Sequence, residues 1–381
     1  MELVAFLNSY TEGISGGDIR FIEIAKRFPR ENVEIWVVTS KLGKGLCEKR
    51  GLKAKYVLTT TEDRINNVIY TYLRRIICAI FLKLEIKNNA ILWSTSDFLP
   101  DVFPAFLLKR KNPRMIWIAS IYHLIPDPFK RSGRLKLSNV LSYVGQWVSL
   151  LMIRRQADLI QTETRFLKSK LVKKYKMSSE RIIVIPSGID TKVIEASSSK
   201  EKIYDACFLA RLHPSKGIFD LIKAWEYVCE RKKDVKLAIA GGGPIKILGK
   251  LKSMVKSLGL ERNVAILGFL SEEEKYKLLR SSKLYLLPSY EEGIPITFYE
   301  AMYCGLPVVT YYLPTYEEIK DYIVSVPLGD VKKLAEEIIR LLEDEDLALR
   351  LGDKGRKLAK EHTWDKVADY ILSKMERSLS A

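Results

Sequence analysis

The stretch Ser289–Thr310, SYEEGIPITFYEAMYCGLPVVT, contains two glutamates, Glu292 and Glu300, eight positions apart. A turn, Gly293–Pro295, lies between them, and an apolar run, Leu284–Leu287, precedes the stretch. This pattern predicts a strand, a tight turn, a short helix that contains Glu300, and a second strand. A helix start presents free backbone N–H groups and a positive dipole end, which suit anions. The stretch therefore predicts a site for a phosphorylated ligand.

Short apolar runs alternate with helical patterns along the rest of the chain, in two blocks. A serine-rich stretch, 197–200, separates the blocks. Strands are predicted at the apolar runs 2–7, 33–39, 56–59, 90–93, 115–121, 157–161, 181–185, 204–210, 236–240, 264–267, 284–287 and 308–310. Such alternation is typical of doubly wound α/β domains. We therefore predict an α/β fold of two Rossmann-like domains, 1–195 and 196–363, with a final helix after them.

Composition narrows the class of protein. The chain has 381 residues, enough for two domains, and is 47% hydrophobic and 29% charged, as globular proteins are. No apolar run reaches the length of a membrane-spanning helix, and the start, MELVAFLNSY, resembles a first strand rather than a signal peptide. Five scattered cysteines without a CxxC pair and only three histidines argue against a disulfide scaffold or a metal site. We expect a cytoplasmic protein.

The positive charge is concentrated in the first half of the chain. The net charge is +17; residues 1–180 hold 31 Lys and Arg against 16 Asp and Glu, and the remainder holds 32 against 30. Such asymmetry predicts an anionic partner for the first half, either nucleic acid, phospholipid head groups or an acidic acceptor. A basic surface that only improves solubility is the alternative.

Two features of the first half follow predicted strands. A glycine loop that includes Gly13, Gly16 and Gly17 follows the first strand, but it lacks the G-x-G-x-x-G spacing of nicotinamide-binding proteins. His123 follows the strand at 115–121. Because ligands of open α/β sheets bind beyond the carboxyl ends of strands, both features are candidate site elements. A plain turn and a structural histidine are the alternatives.

The segment 129–155 is basic at both ends and apolar in the middle. It could form a core helix. It could equally lie on a membrane surface, with its basic residues near anionic head groups. Those residues are Lys130, Arg131, Arg134 and Lys136.

Cations and glycines of the second half complete a candidate constellation. Arg211 and Lys216 share one loop after a predicted strand, and Gly241–Gly243 follows another. Cations beside helix starts can offset the charge of a diphosphate leaving group. Carboxylates such as Glu292 and Glu300 can accept hydrogen bonds from sugar and ribose hydroxyls. Together these residue types predict a nucleotide-sugar donor, whereas each alone could be a surface charge.

Three motifs resemble those of glycosyltransferase family 4. The stretch S-Y-E-E-G-I-P-I-T-F-Y-E-A-M-Y-C-G-L-P-V-V resembles the E-x7-E signature of that family. R-L-H-P-S-K-G at 211–217 is similar to its R-L-x-x-x-K-G loop, and I-P-S-G-I-D at 185–190 to its interdomain I-P-N-G-V-D, with Ser187 replacing asparagine. The motifs keep the family's order along nearly the whole chain.

The resemblance implies a GT-B fold, in which two Rossmann-like domains face each other across a cleft and the C-terminal helix, 364–381, packs back on the first domain. It also implies a retaining transfer that requires no metal and no cofactor. Arg211 and Lys216 are expected to bind the donor diphosphate, and Glu300 the ribose hydroxyls. The transferred sugar is expected to contact Glu292 and the backbone N–H groups of Gly293, Ile294, Pro295 and Ile296.

The resemblance assigns further roles on both sides of the site. The N–H groups of Thr297 and Phe298 are expected to meet the phosphate. Gly16 and Gly17 are expected to close over the diphosphate from the other domain, and His123 to contact the sugar near its reacting carbon. The expected catalytic set is thus His123, Glu292, Arg211 and Lys216.

The predicted activity is transfer of a hexose-like sugar from a nucleotide diphosphate to an acceptor hydroxyl. Because no residue stands out as a covalent nucleophile, we favour front-face attack by the acceptor. The basic first half suggests a lipid-linked or membrane-proximal glycan as acceptor, and a peripheral location on the inner face of the cell membrane. The alternatives are a GT-B enzyme with a small soluble acceptor, such as a disaccharide synthase or phosphorylase, and a non-catalytic nucleic-acid-binding protein. No nucleic-acid-binding motif supports the latter, so we expect no nucleic acid partner.

Overall fold

The computed structural model describes residues 1–11, 16–65, 67–82, 84–127, 137–197 and 201–380. The chain divides into two compact units. Unit 1 comprises Met1–Ser187 and the C-terminal residues from Trp364, and unit 2 comprises Gly188–Thr363. Unit 2 thus starts inside the I-P-S-G-I-D motif, before the serine-rich stretch at which the sequence placed the boundary. Residues 198–200 of that stretch lie outside the described residues.

Unit 1 contains a seven-stranded sheet whose paired strands are all parallel. Its strands are β1 (Glu2–Leu7), β2 (Glu34–Thr39), β3 (Lys55–Leu58), β4 (Ile91–Ser94), β5 (Ile116–Ser120), β6 (Leu159–Thr162) and β7 (Ile182–Val184). Their order across the sheet is β3-β2-β1-β4-β5-β6-β7. Its helices are α1 (Gly16–Ala25), α2 (Lys41–Lys49), α3 (Val68–Phe81), α4 (Leu99–Lys111), α5 (Leu137–Gln156) and α6 (Arg165–Tyr175).

Two tryptophans show how the centre of this sheet is packed. The Nε1–H of Trp93 on β4 donates to Ser120 Oγ at 2.9 Å, and that of Trp117 on β5 donates to Ser94 Oγ at 3.1 Å. Each of these two buried indoles therefore has its hydrogen-bond partner on the neighbouring strand. Both rings are fully buried.

Unit 2 contains a six-stranded sheet, also parallel. Its strands are β8 (Tyr204–Leu209), β9 (Leu237–Ala240), β10 (Val264–Gly268), β11 (Ser282–Leu286), β12 (Val308–Tyr311) and β13 (Val324–Val326), in the order β10-β9-β8-β11-β12-β13. Its helices are α7 (Thr191–Ala196), α8 (Ile218–Arg231), α9 (Ile245–Ser257), α10 (Glu272–Arg280), α11 (Ile296–Tyr303), α12 (Val331–Glu343) and α13 (Glu345–Glu361). The last helix of the chain, α14 (Trp364–Ser380), packs on α1 in unit 1. The predicted doubly wound α/β fold is therefore confirmed for both units.

Each sheet has a point at which the strand order reverses. In unit 1 this point lies between β1 and β4, and in unit 2 between β8 and β11. At such a point the connections from the two strands lead to opposite sides of the sheet, and open α/β sheets bind ligands in the crevice there. The stretch 289–310 begins in the loop after β11, at this point of unit 2. Within the described ranges, no helix is long and apolar enough to cross a membrane.

Candidate active site

The loops that follow β8 and β11 touch each other in unit 2. Gly217 has a φ of +68°, and a Cβ on it would lie 1.8 Å from the carbonyl oxygen of Pro288. The Tyr290 N–H donates to the Ser215 carbonyl at 2.8 Å, which joins the same two loops. Only glycine permits both this conformation and this close approach. Gly217, the glycine of the R-L-x-x-x-K-G motif, thus allows the loop after β8, which contains Arg211 and Lys216, to pack against the loop after β11, which contains Glu292. We call the first the cationic loop.

The contact between these loops brings Lys216 to Glu292. The Lys216 ammonium donates to Glu292 Oε1, and both side chains are mostly buried, with 14% and 17% of their surface exposed. Ser289 Oγ donates to the same oxygen at 3.3 Å, and Thr315 Oγ1 donates to the Glu292 carbonyl at 3.0 Å. Two residues that the motifs predicted as site members therefore form one ion pair. An ammonium has three N–H donors, so Lys216 can also bind an anion.

A second lysine, which the sequence did not single out, pairs with Glu300. Lys275 Nζ lies 2.6 Å from Glu300 Oε1, and the Tyr276 hydroxyl donates to the same oxygen at 2.9 Å. Both residues lie on α10, which begins with a capping box formed by Ser271 and Glu274. Burial and the nearby Glu300 carboxylate raise the pKa of Tyr276 far above its ordinary value, so the hydroxyl keeps its proton and remains a donor.

The start of α11 offers fewer N–H donors than the sequence predicted. Pro295 is the N-cap residue and, as a proline, has no N–H, so the predicted donor at 295 is wrong. The Phe298 N–H already donates to the Pro295 carbonyl at 2.9 Å. Ile296 and Thr297 have no acceptor for their N–H groups within the described ranges. These two N–H groups are available to a phosphate.

Two tyrosines support this part of unit 2. The Tyr285 hydroxyl donates to the Leu209 carbonyl at 2.9 Å and lies 2.8 Å from Thr297 Oγ1, which ties α11 to the end of β8. The Tyr290 hydroxyl donates to Asp220 on α8. Burial raises the pKa of Tyr285 well above its ordinary value, so it too stays protonated.

Arg211 lies on the same cationic loop and is exposed. Among the described residues it makes no ion pair or hydrogen bond through its side chain, so its guanidinium can take an anion. The loop after β9 contacts the cationic loop, because the Leu212 N–H donates to the Gly242 carbonyl at 2.8 Å. At Gly241, which has a φ of +142°, a Cβ would lie 1.8 Å from the Ala210 carbonyl oxygen. The loop Gly241–Gly243 therefore packs against the cationic loop at a distance that leaves no room for a side chain at Gly241.

Gly16 and Gly17 are the first two residues of α1 in unit 1. Gly16 is exposed and Gly17 is partly buried. Gly13, which belongs to the predicted glycine loop, lies outside the described residues. The strand that leads to this loop is held in place, since Asp101 Oδ1 accepts the N–H groups of Asn8 and Ser9 at 2.6 and 2.7 Å.

His123 follows β5 and is exposed. Its carbonyl accepts a hydrogen bond from Gln146 Nε2 at 2.7 Å, and Gln146 Oε1 accepts from the Ile125 N–H at 2.8 Å. The same amide nitrogen donates to Asp97 Oδ2 at 2.6 Å. Burial raises the pKa of Asp97 to about 7. Gln146 and Asp97 thus position the His123 backbone, and no local sequence pattern indicated them.

The I-P-S-G-I-D motif contacts a buried arginine of α1. Arg20 Nη2 donates to the Ile185 carbonyl at 2.6 Å, and Nη1 donates to Ser187 Oγ at 3.2 Å. The Ser187 hydroxyl donates to Glu163 at 2.8 Å. Ser187, which replaces the family's asparagine, therefore links Arg20 to Glu163 through its hydroxyl.

The predicted site residues fall into two groups. Unit 2 brings together Lys216 and Glu292, and it holds Arg211 and the start of α11 on neighbouring loops. Gly16 and Gly17, at the start of α1, and His123, in the loop after β5, belong to unit 1. The basic residues Lys130, Arg131, Arg134 and Lys136 lie outside the described residues.

Family models match nearly the whole chain in two parts. Residues 14–193 match the model described as Glycosyltransferase Family 4, and residues 190–358 match Glycosyl transferases group 1. The chain belongs to glycosyltransferase family 4. The resemblance drawn from the three motifs is thereby confirmed.

Curated relatives include proteins of bacteria and archaea. Mannosylfructose-phosphate synthase of Agrobacterium fabrum is 29% identical over 247 residues, which cover 59% of this chain and 54% of the relative. An uncharacterized glycosyltransferase of Methanocaldococcus jannaschii is 26% identical over 366 residues, which cover 83% of this chain and 86% of the relative. The match thus spans about half the length of the first relative and most of the second.

Solved structures support the fold. Anabaena HepE, determined in complex with UDP and glucose, superposes with a TM-score of 0.76 at 17% sequence identity. The match covers 99% of both chains. The chain therefore has the GT-B fold that the resemblance implied.

Proposed function

We propose that the protein transfers a sugar from a nucleoside-diphosphate sugar to an acceptor hydroxyl, with retention of the anomeric configuration. The observation that carries this proposal is the Lys216–Glu292 ion pair at the β8–β11 reversal of unit 2. This pair places a cation and a carboxylate in one crevice beside exposed Arg211. A diphosphate is bound by cations, and a sugar hydroxyl donates a hydrogen bond to a carboxylate.

The charges of the described residues suggest how the donor is held. Arg211 and Lys216 bind the diphosphate. The Lys216 ammonium donates to a phosphate oxygen while it keeps its hydrogen bond to Glu292. Glu300 has one oxygen engaged by Lys275 and Tyr276, and its second oxygen accepts the ribose hydroxyls. The N–H groups of Ile296 and Thr297 face the phosphate at the positive end of α11.

The reaction needs stabilisation of a departing diphosphate. The bond between the anomeric carbon and the phosphate oxygen breaks while the acceptor oxygen bonds to the same face of that carbon. The acceptor proton passes to the departing phosphate oxygen, so charges and atoms balance. Arg211 and Lys216 offset the developing negative charge, which is the role that a metal ion would otherwise have. We therefore propose a metal-independent reaction that needs no cofactor. The roles of Gly16, Gly17 and His123 remain predictions of the resemblance.

The proposed acceptor is a lipid-linked or membrane-proximal glycan, and the proposed location is the inner face of the cell membrane. Support comes from the excess of 31 basic over 16 acidic residues in positions 1–180. A small soluble acceptor is the second candidate, because one relative is a mannosylfructose-phosphate synthase.

A screen of nucleotide sugars tests the proposal. The melting temperature of the protein is measured with UDP-, GDP-, ADP- and dTDP-linked sugars, since a ligand that binds only the folded state raises it. We expect one base to stabilise the protein and Lys216→Ala to abolish the effect. Lys223→Ala on α8, an exposed lysine without an ion pair in the described ranges, is the matched control. NMR of the product then reports the anomeric configuration. No stabilisation by any donor, or an inverted product, contradicts the proposal.

A further inference from the structure

We propose that unit 1 docks on an anionic lipid bilayer through an exposed apolar surface that α3, the start of α4 and α5 form together; this inference rests on the proposed membrane-proximal acceptor. We call it the α3–α5 surface. Its residues are exposed and apolar or aromatic: Ile69, Tyr70, Leu73, Ile77, Phe81, Phe98, Leu141, Val144 and Trp147.

Helix α3 exposes its large apolar side chains and buries an arginine, which is the reverse of the usual arrangement in a globular protein. Its buried positions are Thr71, Arg75 and Ala79, spaced one turn apart, whereas Phe81 is 79% exposed and Tyr70 is 65% exposed. A helix on a globular protein normally turns its apolar face inward and its polar face to water. Contiguous exposed apolar surface of this kind marks an interaction site.

Arg75 explains why α3 is turned this way. Its guanidinium donates to the Asn8 carbonyl at 3.0 Å and contacts Glu62 at 2.8 Å. The arginine thus supports the loop that leads from β1 toward Gly16, and this interaction requires it to face inward. The apolar residues on the opposite side of α3 consequently face outward.

The surface is continuous across three helices. The rings of Tyr72 on α3 and Phe98 at the start of α4 meet edge to face, with centroids 6.2 Å apart. A Cβ on Gly145 of α5 would lie 3.5 Å from Leu99 of α4. Trp147 on α5 follows Gln146, whose side chain binds the His123 carbonyl. The surface therefore adjoins the His123 loop of unit 1.

The charge around the surface favours an anionic bilayer over a second copy of the chain. No acidic residue occurs in positions 64–84, where Arg64 and Arg74 are exposed, and none occurs in α5, which ends with Arg154 and Arg155. Two copies of such a surface would bring like charges together, whereas anionic head groups would complement them. Exposed apolar residues with flanking cations are typical of helices that lie in the membrane interface.

Aromatic residues strengthen this choice of partner. Trp147 is 52% exposed and Tyr70 is 65% exposed. Tryptophan and tyrosine have an apolar ring and one polar group, so they are enriched at the level of lipid head groups.

Flotation with vesicles tests the inference. The full chain is mixed with vesicles of phosphatidylcholine, or of an equal mixture of phosphatidylcholine and phosphatidylglycerol, and centrifuged in a density gradient. We expect the protein to float only with the mixed vesicles and to be released by high salt. Leu73→Ser combined with Ile77→Ser should reduce binding about tenfold or more, because two apolar side chains no longer enter the interface. Leu349→Ser, at a 66% exposed leucine of unit 2, should leave binding unchanged.

Other outcomes overturn the inference. Equal flotation with both vesicle types, or unchanged flotation of the double variant, contradicts it. Light scattering that shows a wild-type dimer and a monomeric double variant, without vesicle binding, assigns the surface to a second copy instead. The donor-induced rise in melting temperature is measured on the same samples and does not depend on lipid. If the wild-type protein does not float but shows that rise, only the docking surface is overturned, whereas a missing rise overturns the proposed function.

Discussion

Lys275 Nζ lies 2.6 Å from Glu300 Oε1, and only 7% of the Glu300 side chain is exposed. The Tyr276 hydroxyl donates to the same oxygen, so one oxygen of the carboxylate is held by two donors from α10. Oε2 has no partner among the described residues. The second glutamate of the E-x7-E pattern is thus oriented by a helix that precedes it in the chain, with one acceptor left for a ligand.

Loss of Lys275 should weaken donor binding more than it slows turnover. Lys275→Ala removes a charge-assisted hydrogen bond worth about 1.5–3 kcal/mol, so we expect the KM for the donor to rise about tenfold or more. Initial rates over a range of donor concentrations measure this. Lys277→Ala on the same helix, where the side chain is 52% exposed, is the control. An unchanged KM in Lys275→Ala would show that Glu300 needs no support from α10.

Gly217→Ala should destabilise unit 2. Its Cβ would collide with the Pro288 carbonyl, and its positive φ is strained for alanine, so the free energy of unfolding should fall by about 3 kcal/mol. Urea denaturation provides the measurement. Gly45→Ala in α2, where a Cβ meets nothing within 4 Å, should instead raise the free energy of unfolding by about 0.5–1 kcal/mol. Equal effects of the two substitutions would refute the close loop contact.

Unit 1 should lose stability as the pH rises from about 4 to about 7. Burial raises the pKa of both Asp97 and Asp101 to about 7, whereas an unfolded aspartate has a pKa of about 3.9. Between these values the folded state binds more protons than the unfolded state, so the free energy of unfolding falls with pH.

Asp97→Asn checks this dependence. Asparagine keeps an acceptor for Gln146 but does not titrate, so the fall in the urea midpoint between about pH 5 and about pH 8 should become smaller. The exposed Asp63, substituted as Asp63→Asn, should leave the fall unchanged. A wild-type protein that gains stability over this pH range would contradict the assignment.

Most strands were predictable because buried parallel strands are short continuous apolar runs. The run at 236–240, for example, became β9, Leu237–Ala240. Strand β13, Val324–Val326, was missed because Ser325 interrupts its apolar run and Pro327 follows it directly.

Helices α2 and α4 were not predicted because they contain residues that usually end helices. Gly43 of α2 is required by packing, since a Cβ there would lie 2.0 Å from Thr39 Oγ1. Helix α4 contains Pro100 in its first turn, where no N–H is needed, and Pro104 inside it. The missing N–H of Pro104 leaves the Pro100 carbonyl free for Asn8 Nδ2, which donates to it at 3.4 Å.

The site was predictable only as far as its motifs reach. Spacing indicated Glu292, Glu300 and Lys216, because they lie in local patterns. Lys275 is 25 residues from Glu300 in sequence, and only the tertiary fold brings the two side chains together. The Phe298 N–H was expected to bind the phosphate, but it donates to the Pro295 carbonyl. This hydrogen bond depends on the backbone conformation of the first turn of α11, which the sequence does not show.

The binding of a nucleoside diphosphate tests the central claim most directly. Isothermal titration of the diphosphate of the stabilising donor is compared between wild type, Lys216→Ala, Arg211→Ala and the control Lys223→Ala. Each lost charge-assisted contact is worth about 1.5–3 kcal/mol, so the Kd should rise about tenfold to a hundredfold in the first two variants and stay unchanged in the control. If folded Lys216→Ala and Arg211→Ala bind the diphosphate as tightly as wild type, the donor site does not lie between the loops after β8 and β11.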